Sequence, residues 1–562
     1  MTPDTESRLR EALSANPRDF GTLFSLGVLS GRRGQFDEAA RLMGLAAAAD
    51  PKSSDAHFMR GSALLQAMRF KESIESLSAA LALRPDFPEA LLNRAAALFR
   101  LKGHAEAEKD YDSLLRLDPS YPYARGNGLF CRMNLCDWRN LEAETAAIAA
   151  GIGRGEPVIA PFDAKALWLH TDDELACALI WAKDQVHAGG ASATKFYNHQ
   201  KIRIAYVTDS FGDDPVSMLL AGVLERHDKE RFEVIGAVFE GFRNTATGTR
   251  IFNACDTRVI AGARSDAELA AALRTMEIDI GVDLKGYTEG CRSGLFAQRF
   301  APVQINYLGF PGSMGSGFMD YILADRTVIP EEERRHYRES VAYLPDTFLP
   351  CDSTRTAAAN LPSRREAGLP EKAFIFASFN NAYKFNPRVF GIWMRLLGAV
   401  EGAVLWLPKS SAAAMENLSR EAQGKGIDPK RLVFAPFVPD SGGHLARLSL
   451  ADLFLDTLPY NAHSTAMDAL QAGLPILTMA GETFAGRVAA SLLNAAGLPE
   501  LITQSLREYE ELALRIARDP SLAAELKAKL AANKSICAAF DTARYTRNLE
   551  AAYLKMLERP AP

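Results

Sequence analysis

Cysteine is scarce in this sequence, and long apolar runs are missing. The seven cysteines, at positions 131, 136, 177, 255, 291, 351 and 537, are scattered, and no two of them form a C-x-x-C pair. This spacing gives no zinc or redox motif, and an odd, sparse set is typical of a reducing compartment. The polar N-terminus lacks the apolar core of a signal peptide, and no apolar run reaches the ~18 residues of a membrane span. We therefore predict a cytoplasmic protein without membrane insertion.

An excess of one charge is also missing. Lys plus Arg number 64 and Asp plus Glu number 69, which leaves a net charge of -5 over 562 residues. This balance gives no reason to expect a nucleic-acid partner. The sequence also contains neither G-x-G-x-x-G nor a P-loop. A D-x-D pair, Asp110 and Asp112, falls in a predicted repeat helix, where a solvated helix face explains it. We therefore expect no metal and no other cofactor.

What the sequence does contain is a period of 34 residues. Prolines keep this step at positions 17, 51, 85 and 119, and small residues keep it at positions 27, 61 and 95. The pattern is typical of tetratricopeptide repeats, in which helix pairs stack into a solenoid. We predict repeats over residues 1–125 and a helical cap and linker over residues 126–197. GGASAT, at 189–194, has the composition of the linker.

After residue 200, short apolar runs alternate with helical stretches. The runs are IRIAYVTDSF, FEVIGAVFEG, DIGVDLKG and VQINYLGFPG, followed by FIFASFNN, AVLWLPKS, RLVFAPFVP, ADLFLDTLP and PILTMAG. Such alternation predicts parallel sheets covered by helices. We predict two Rossmann-like lobes, at 198–365 and 366–562, the second ending in three helices. The predicted fold class is an α-helical solenoid followed by two α/β domains facing a cleft, where open sheets bind ligands.

A histidine and two hydroxyls occupy a predicted turn from strand to helix. His463, Ser464 and Thr465 follow the run ADLFLDTLP, and Asp468 lies one turn into the next helix. A helix N-terminus carries free N–H groups and a partial positive charge, so it suits a phosphate. Simple N-capping by Ser464 is the alternative, but it leaves the histidine and threonine unexplained. We interpret the turn as a phosphate site, with Asp468 accepting hydrogen bonds from ribose hydroxyls.

A lysine occupies a second predicted turn of this kind. FNNAYKFNP follows the run FIFAS and contains Asn380, Asn381 and Lys384. A lysine placed there would neutralise a diphosphate leaving group, although a solvated surface lysine explains the residue equally well. The glycine-rich loop GFPGSMGSG, at 309–317, also follows a strand and permits close approach of its backbone to a ligand.

Several stretches together resemble one known family. They are RIAYVTDSFG, DLKGYTEGCRSGLFAQRFAPVQINYLGFPGSMGSGFMDYI, SFNNAYKFNP, ADLFLDTLPYNAHSTAMDALQAG and GETFAGRVAAS, with LCDW after the repeats. They resemble the bacterial relatives of the nucleocytoplasmic protein O-linked N-acetylglucosamine transferase, glycosyltransferase family 41, over nearly the whole chain. The resemblance implies a GT-B fold and a metal-independent, inverting transferase. Its donor would be a UDP-sugar carrying N-acetylglucosamine, and its acceptor would be a Ser or Thr hydroxyl of a protein guided by the repeats.

The same resemblance implies roles for individual residues. Lys384 matches a lysine that contacts the diphosphate and is needed for activity. Asn381 lies where the family has Gln or Asn near the donor. The other matches are His463, Ser464 and Thr465 for the phosphates and sugar, Asp468 for the ribose, His444 and Arg447 for the uridine, and Gly309 beside the sugar.

One position departs from the family pattern near the acceptor. Asp214, in FGDDP, stands where the family usually has a histidine once proposed as general base. An aspartate has a reference pKa of ~3.9 and is a weak base unless it is desolvated. Asp214 is our candidate for the catalytic base. The alternatives are that it changes the choice of acceptor or marks a loss of activity.

Three other functions stay open at this point. A protein O-fucosyltransferase that uses a GDP-sugar has repeats and a similar fold, but the turn at 463–465, followed by Asp468, and GETFAGRV favour the UDP-sugar. A protein N-glucosyltransferase usually lacks true repeats, so the 34-residue period counts against it. A non-catalytic repeat scaffold with vestigial lobes is opposed by the intact phosphate-site motifs.

Overall fold

The computed structural model describes residues 3–186, 196–360 and 362–558. The chain divides into two compact units, residues 1–137 and 138–562. The linker predicted at residues 189–194 lies outside the described residues. No helix within the described ranges combines the length and the hydropathy of a membrane span.

The first unit consists of helices. They are α1 (Pro3–Ala15), α2 (Phe20–Arg32), α3 (Phe36–Ala49), α4 (Ser54–Gln66), α5 (Phe70–Leu83), α6 (Pro88–Arg100), α7 (His104–Leu117) and α8 (Ala124–Asn134). The first helices of the three pairs begin at residues 20, 54 and 88, and the second helices begin at residues 36, 70 and 104. Both series keep the 34-residue step that the sequence predicts. The predicted tetratricopeptide repeats are confirmed.

Close helix packing explains the small residues that keep this step. A Cβ added at Gly61 would lie 2.5 Å from Cγ of Leu77, and one added at Gly27 would lie 2.8 Å from Cε of Met43. Ala95, the third residue of this series, is fully buried. Such distances leave no room for a larger side chain in a close-packed interior. Each small residue therefore sets how near the two helices of a repeat approach.

The second unit holds two sheets with their helices. It opens with α9 (Leu141–Gly153), α10 (Pro161–Ala164) and α11 (Thr171–Gln185). The first lobe contains β1 (Ile202–Phe211), α12 (Pro215–Arg226), β2 (Phe232–Phe242), α13 (Ala246–Ala254), β3 (Thr257–Ile260), α14 (Asp266–Thr275), β4 (Ile280–Asp283), α15 (Ser293–Ala297), β5 (Val303–Asn306), β6 (Tyr321–Ala324) and β7 (Ser340–Tyr343). The second lobe contains β8 (Ile375–Ala377), α16 (Pro387–Ala399), β9 (Val404–Pro408), α17 (Ala412–Gly424), β10 (Leu432–Ala435), α18 (Ser441–Leu448), β11 (Leu453–Leu455), α19 (Ser464–Gln471), β12 (Ile476–Met479), α20 (Val488–Ala495), β13 (Ile502–Thr503), α21 (Leu506–Arg518), α22 (Pro520–Asn533) and α23 (Thr542–Glu558).

Both sheets have the Rossmann strand order. The first runs β3-β2-β1-β4-β5-β6-β7 and the second runs β10-β9-β8-β11-β12-β13, and the paired strands are parallel. In the first sheet Tyr206 of β1 faces Gly236 of β2 and Val282 of β4. The order reverses between β1 and β4, and again between β8 and β11, which makes each of these places a topological switch point where ligands bind. The predicted class, helical repeats followed by two α/β domains, is confirmed.

The terminal helix packs on the first lobe rather than on the second. Tyr545 and Tyr553 of α23 are buried in the core of the first sheet. Their hydroxyls lie 2.6 Å from the Tyr307 hydroxyl and 3.1 Å from the Tyr206 hydroxyl. The three terminal helices follow the second lobe in the chain, so the sequence predicts them as part of that lobe, residues 366–562. Because its tyrosines are buried in the first lobe, α23, the last of these helices, returns to that lobe.

Candidate active site

A buried aspartate shapes the loop that joins β11 to α19. Asp456 follows β11 directly and is fully buried. Its carboxylate accepts hydrogen bonds from the backbone N–H groups of Thr457 at 2.8 Å and Ala462 at 2.6 Å, and from the hydroxyl of Thr478 at 2.6 Å. Burial raises the pKa of this carboxyl, and the hydrogen bonds and the nearby Lys384 oppose the rise. Asp456 thus fixes the path of residues 457–462 toward the predicted phosphate site.

The helix that follows has no side-chain cap. α19 begins at Ser464, its N-cap residue is His463, and no side chain hydrogen-bonds the N–H groups of its first turn. Simple N-capping by Ser464 is therefore ruled out as the explanation of this turn. The Ala466 N–H donates to the His463 carbonyl at 3.0 Å, so the N–H groups of Ser464 and Thr465, with the partial positive charge of the helix end, are the ones that suit an anion.

His463 is held in one tautomer. Its Nε2 lies 3.1 Å from the carbonyl oxygen of Ala485 and must carry the proton, because a carbonyl only accepts. Burial, and then the charge of Lys384, hold the pKa of His463 well below its usual value. The ring is neutral in this state, and its Nδ1 is the nitrogen without a proton.

Lys384 is buried beside this loop. It ends a single 3₁₀ turn, Ala382–Lys384, that follows β8. Its ammonium donates a 2.7 Å hydrogen bond to the carbonyl oxygen of Asn461 and lies 3.7 Å from the centre of the Tyr460 ring. A solvated surface lysine is thereby excluded, since only 8% of the residue is exposed. Burial lowers the pKa of Lys384, and the charge of Asp456 opposes this.

The two asparagines of the β8 turn occupy different environments. Asn380 is buried, and its side-chain oxygen accepts a 3.0 Å hydrogen bond from the Thr465 hydroxyl. The side-chain NH₂ of Asn380 is buried without a partner. Asn381, which the resemblance placed near the donor, is exposed at the start of the 3₁₀ turn. The structure therefore joins Thr465 to Asn380, a residue to which the sequence analysis gave no role of its own.

The predicted nucleoside residues lie together. Asp468 Oδ2 is 3.6 Å from Nε2 of His444, and Nη2 of Arg447 is 2.8 Å from Nδ1 of the same histidine. The Arg447 guanidinium stacks 4.8 Å from the Phe379 ring centre, and burial lowers its pKa to about 10. Burial likewise lowers the pKa of His444. Asp468 also forms a 2.8 Å ion pair with Arg355, which the sequence analysis missed because the segment before β8 carries no motif.

In the first lobe, Gly309 and Asp214 have structural roles of their own. A Cβ at Gly309 would collide with the backbone of Leu284, so contact between two loops by itself requires the glycine. Asp214 is the N-cap of α12, and its carboxylate accepts hydrogen bonds from the N–H and the hydroxyl of Ser217, at 3.0 and 2.5 Å. The predicted role of Asp214 as a base stays a prediction, and the two bonds from Ser217 occupy both of its carboxylate oxygens.

A second acidic side chain, missed from the sequence, lies near the Lys384 turn. Asp163 is in the short helix α10, whose Phe162 ring lies 6.1 Å from the rings of both Tyr383 and Tyr460. Burial, and then the carboxylate of Glu289, raise the pKa of Asp163 to about 7. Nothing in the sequence distinguishes this aspartate from a surface residue, because its neighbours come from distant parts of the chain.

The candidate residues of the second lobe thus converge on one switch point. Lys384 follows β8 and the turn at 463–465 follows β11, the two strands between which the order reverses. Within the described residues, no group of three His, Cys, Asp or Glu side chains is arranged to hold a metal ion.

The family model of glycosyl transferase family 41 matches residues 186–359 and 354–549. The chain belongs to glycosyl transferase family 41. A tetratricopeptide-repeat model matches residues 24–77 and 58–122.

Similar proteins from other organisms support this placement. A probable UDP-N-acetylglucosamine–peptide N-acetylglucosaminyltransferase of Arabidopsis thaliana (SEC) is 35% identical over 376 residues, 66% of this chain and 38% of that protein. A UDP-N-acetylglucosamine–peptide N-acetylglucosaminyltransferase of Caenorhabditis elegans is 26% identical over 69% of this chain and 43% of its own length. The chain thus spans less than half the length of these relatives. A solved mutant of an O-GlcNAc transferase from Thermobaculum terrenum superposes with a TM-score of 0.71 at 26% identity, over 96% of this chain and 97% of its own.

Proposed function

We propose that this protein transfers N-acetylglucosamine from UDP-N-acetylglucosamine to Ser or Thr hydroxyls of a protein acceptor. The observation that carries the proposal is the buried Lys384 ammonium, 2.7 Å from the Asn461 carbonyl, beside the uncapped N-terminus of α19. A fixed cation and free N–H groups together form a binding site for a diphosphate. The names of the relatives, which specify UDP-N-acetylglucosamine and a peptide, support this choice of sugar and of acceptor.

The proposed reaction is a single displacement at the anomeric carbon. The acceptor oxygen forms a bond to this carbon as the bond to the UDP oxygen breaks, and the acceptor proton passes to a base. Lys384 and the first turn of α19 stabilise the charge that develops on the departing diphosphate. The phosphates and the sugar are held by His463, Ser464 and Thr465. Asp468 binds the ribose, and the uracil side is contacted by His444 and Arg447. Asn381 and Gly309 line the sugar, and Asp214 is the proposed base.

We propose that no metal takes part, since a cation is already supplied by Lys384. We further propose that the repeats of residues 1–125 guide the acceptor protein and that the reaction takes place in the cytoplasm. The charge balance of the chain supports a protein rather than a nucleic acid as the acceptor.

Calorimetric titration with UDP and with GDP tests the donor site. The expected result is that UDP binds the wild type and GDP binds at least about tenfold more weakly. Lys384→Met, which keeps the length of the side chain and removes its charge, weakens UDP binding. Lys409→Ala is the matched control, because Lys409 is an exposed lysine that follows β9 at the same edge of the sheet. Preferred binding of GDP would replace the proposal by a GDP-sugar transferase, and binding of neither nucleotide would replace it by a scaffold.

Turnover separates an enzyme from a binding protein with the same pocket. We expect slow release of UDP from UDP-N-acetylglucosamine, unaffected by EDTA and accelerated by a peptide acceptor. Binding of UDP without any turnover would contradict the proposed transfer, and loss of turnover in EDTA would contradict the metal-independent step.

A further inference from the structure

An arginine from outside both sheets reaches the predicted ribose ligand. Arg355 lies in the connector, which we define as residues 344–360 and 362–374 between β7 and β8. Its Nη1 is 2.8 Å from Oδ1 of Asp468. Both side chains are largely shielded from solvent, with 9% of Arg355 and 13% of Asp468 exposed. The pair is therefore poorly screened by water and holds a fixed geometry.

The same guanidinium ties together the two helices that carry the nucleoside residues. Its Nε and Nη2 donate to the hydroxyl of Ser441, the first residue of α18, at 3.0 and 2.9 Å. Its Nη1 also donates to the side chain of Gln471, the last residue of α19, at 3.3 Å. Gln471 in turn donates to the backbone oxygen of Asp352 in the connector at 2.9 Å. The planar guanidinium of Arg355 therefore connects two helices. One is α18, which bears His444 and Arg447, and the other is α19, which bears Asp468.

We propose that Arg355 is a positioning residue that keeps the Asp468 carboxylate oriented to accept hydrogen bonds from the ribose hydroxyls of a bound nucleotide. An ionised carboxylate only accepts, and its two oxygens offer about four acceptor sites, so Asp468 serves Arg355 and the ribose together. This inference rests on the proposed donor site. It adds to that site a residue that touches no part of the nucleotide and acts through Asp468.

Removal of the arginine has a specific consequence for the ribose. Without the guanidinium, the Asp468 carboxylate loses the 2.8 Å contact that orients it. A carboxylate that is free to rotate no longer presents its oxygens to the ribose hydroxyls. Arg355→Lys restores the charge but replaces the fork by a single point of contact, so it recovers only part of the effect.

Calorimetric titration with UDP and with 2′,3′-dideoxy-UDP tests the inference. We expect the wild type to bind UDP about tenfold more tightly than the dideoxy analogue, the difference being the ribose hydrogen bonds. In Arg355→Ala the affinity for UDP falls about tenfold, and the affinity for the dideoxy analogue stays the same. Asp468→Asn shows the same pattern, the double variant loses no more than either single variant, and Arg355→Lys lies between Arg355→Ala and the wild type.

Arg364→Ala is the matched control. Arg364 lies in the same connector and pairs with Asp452 at 2.9 and 2.8 Å, with 21% and 19% of the two side chains exposed. Asp452 precedes β11, so this pair lies at the amino end of the strand, away from the candidate site. We expect Arg364→Ala to lower the unfolding temperature as Arg355→Ala does, with both nucleotide affinities unchanged.

The outcomes separate this inference from the proposed function. Equal weakening of UDP and its dideoxy analogue by Arg355→Ala would show general damage to the fold and overturn the positioning role. Unchanged UDP binding in Arg355→Ala, or equal wild-type affinity for the two nucleotides, would overturn it as well. If the wild type bound no UDP, the proposed donor site would be wrong, and this inference would be wrong as well.

Discussion

The ammonium of Lys384 lies 2.7 Å from the carbonyl oxygen of Asn461, so the turn after β8 is attached to the loop after β11. The two strands are neighbours in the second sheet, on either side of its switch point. A buried ammonium at this place has a lowered pKa, and any anion that enters the site stabilises its charged form. The site is therefore prepared for a negatively charged ligand.

Lys384→Met is expected to lower kcat by about 10²- to 10³-fold, because the variant loses the cation that stabilises the leaving diphosphate. The free energy of unfolding should fall by no more than about 1–3 kcal/mol, because the variant leaves the buried Asn461 carbonyl without its donor but no longer buries a charge. Steady-state turnover of UDP-N-acetylglucosamine and urea unfolding measure the two effects. A large loss of stability together with normal kcat would assign the lysine to folding alone.

Asp214→Asn tests the proposed base without disturbing α12. Asparagine caps helices as well as aspartate does, so the hydrogen bond from the Ser217 N–H at 3.0 Å is kept. If Asp214 accepts the acceptor proton, turnover to a peptide falls by about 10² or more, and UDP binding is unchanged. Turnover within twofold of wild type would leave Asp214 as a helix cap only.

The strands of both lobes show how much of the fold could be predicted from the sequence. The nine apolar runs correspond to nine observed strands, because a strand buried on both faces reads as a continuous apolar stretch. The four missed strands are β3, β6, β7 and β13. In β3, partly buried residues alternate with exposed ones, and β13 has only two residues, so neither gives an apolar run. The polar residues after β8 and β11 were found because they directly follow predicted strands, at the carboxyl ends where open sheets bind ligands.

Other parts of the candidate site depend on contacts that sequence does not encode locally. Arg355 reaches Asp468 from 113 positions away, 468 minus 355, and no motif surrounds it. Asp163 acquires its raised pKa from burial and from Glu289, which is also far away in the chain. Asp456 could have been predicted from the sequence, because a polar residue directly after a buried strand at a switch point itself indicates a functional site.

Thr465→Val is expected to destabilise the protein and to weaken donor binding together. The threonine hydroxyl donates to the buried Asn380 oxygen at 3.0 Å, and the Asn380 NH₂ is buried without a partner. A buried oxygen left without its donor costs about 1–3 kcal/mol of the free energy of unfolding. Thr465→Ser keeps the hydroxyl and is the control. Denaturant unfolding and the KM for UDP-N-acetylglucosamine measure the effects, and identical behaviour of the two variants would contradict this role.

Asp163→Asn is expected to make stability less dependent on pH. The pKa of Asp163 is raised from 3.8 to about 7 in the folded protein, so the folded state binds the proton more tightly than the unfolded chain. The contribution of this residue to stability is therefore greatest below about pH 4 and is lost as the pH rises toward 7. Asparagine stays neutral, so the free energy of unfolding of the variant rises relative to that of the wild type as the pH increases over that range.

We expect this gain to reach about 2 kcal/mol between pH 5 and pH 8, because solvent screens a half-buried carboxylate. Urea unfolding of both proteins at the two pH values measures it, and taking the difference between the proteins removes the other titrating groups. Glu289→Gln should show part of the same gain, since it removes the second cause of the raised pKa. A difference that stayed constant with pH would mean that Asp163 titrates like an exposed carboxyl.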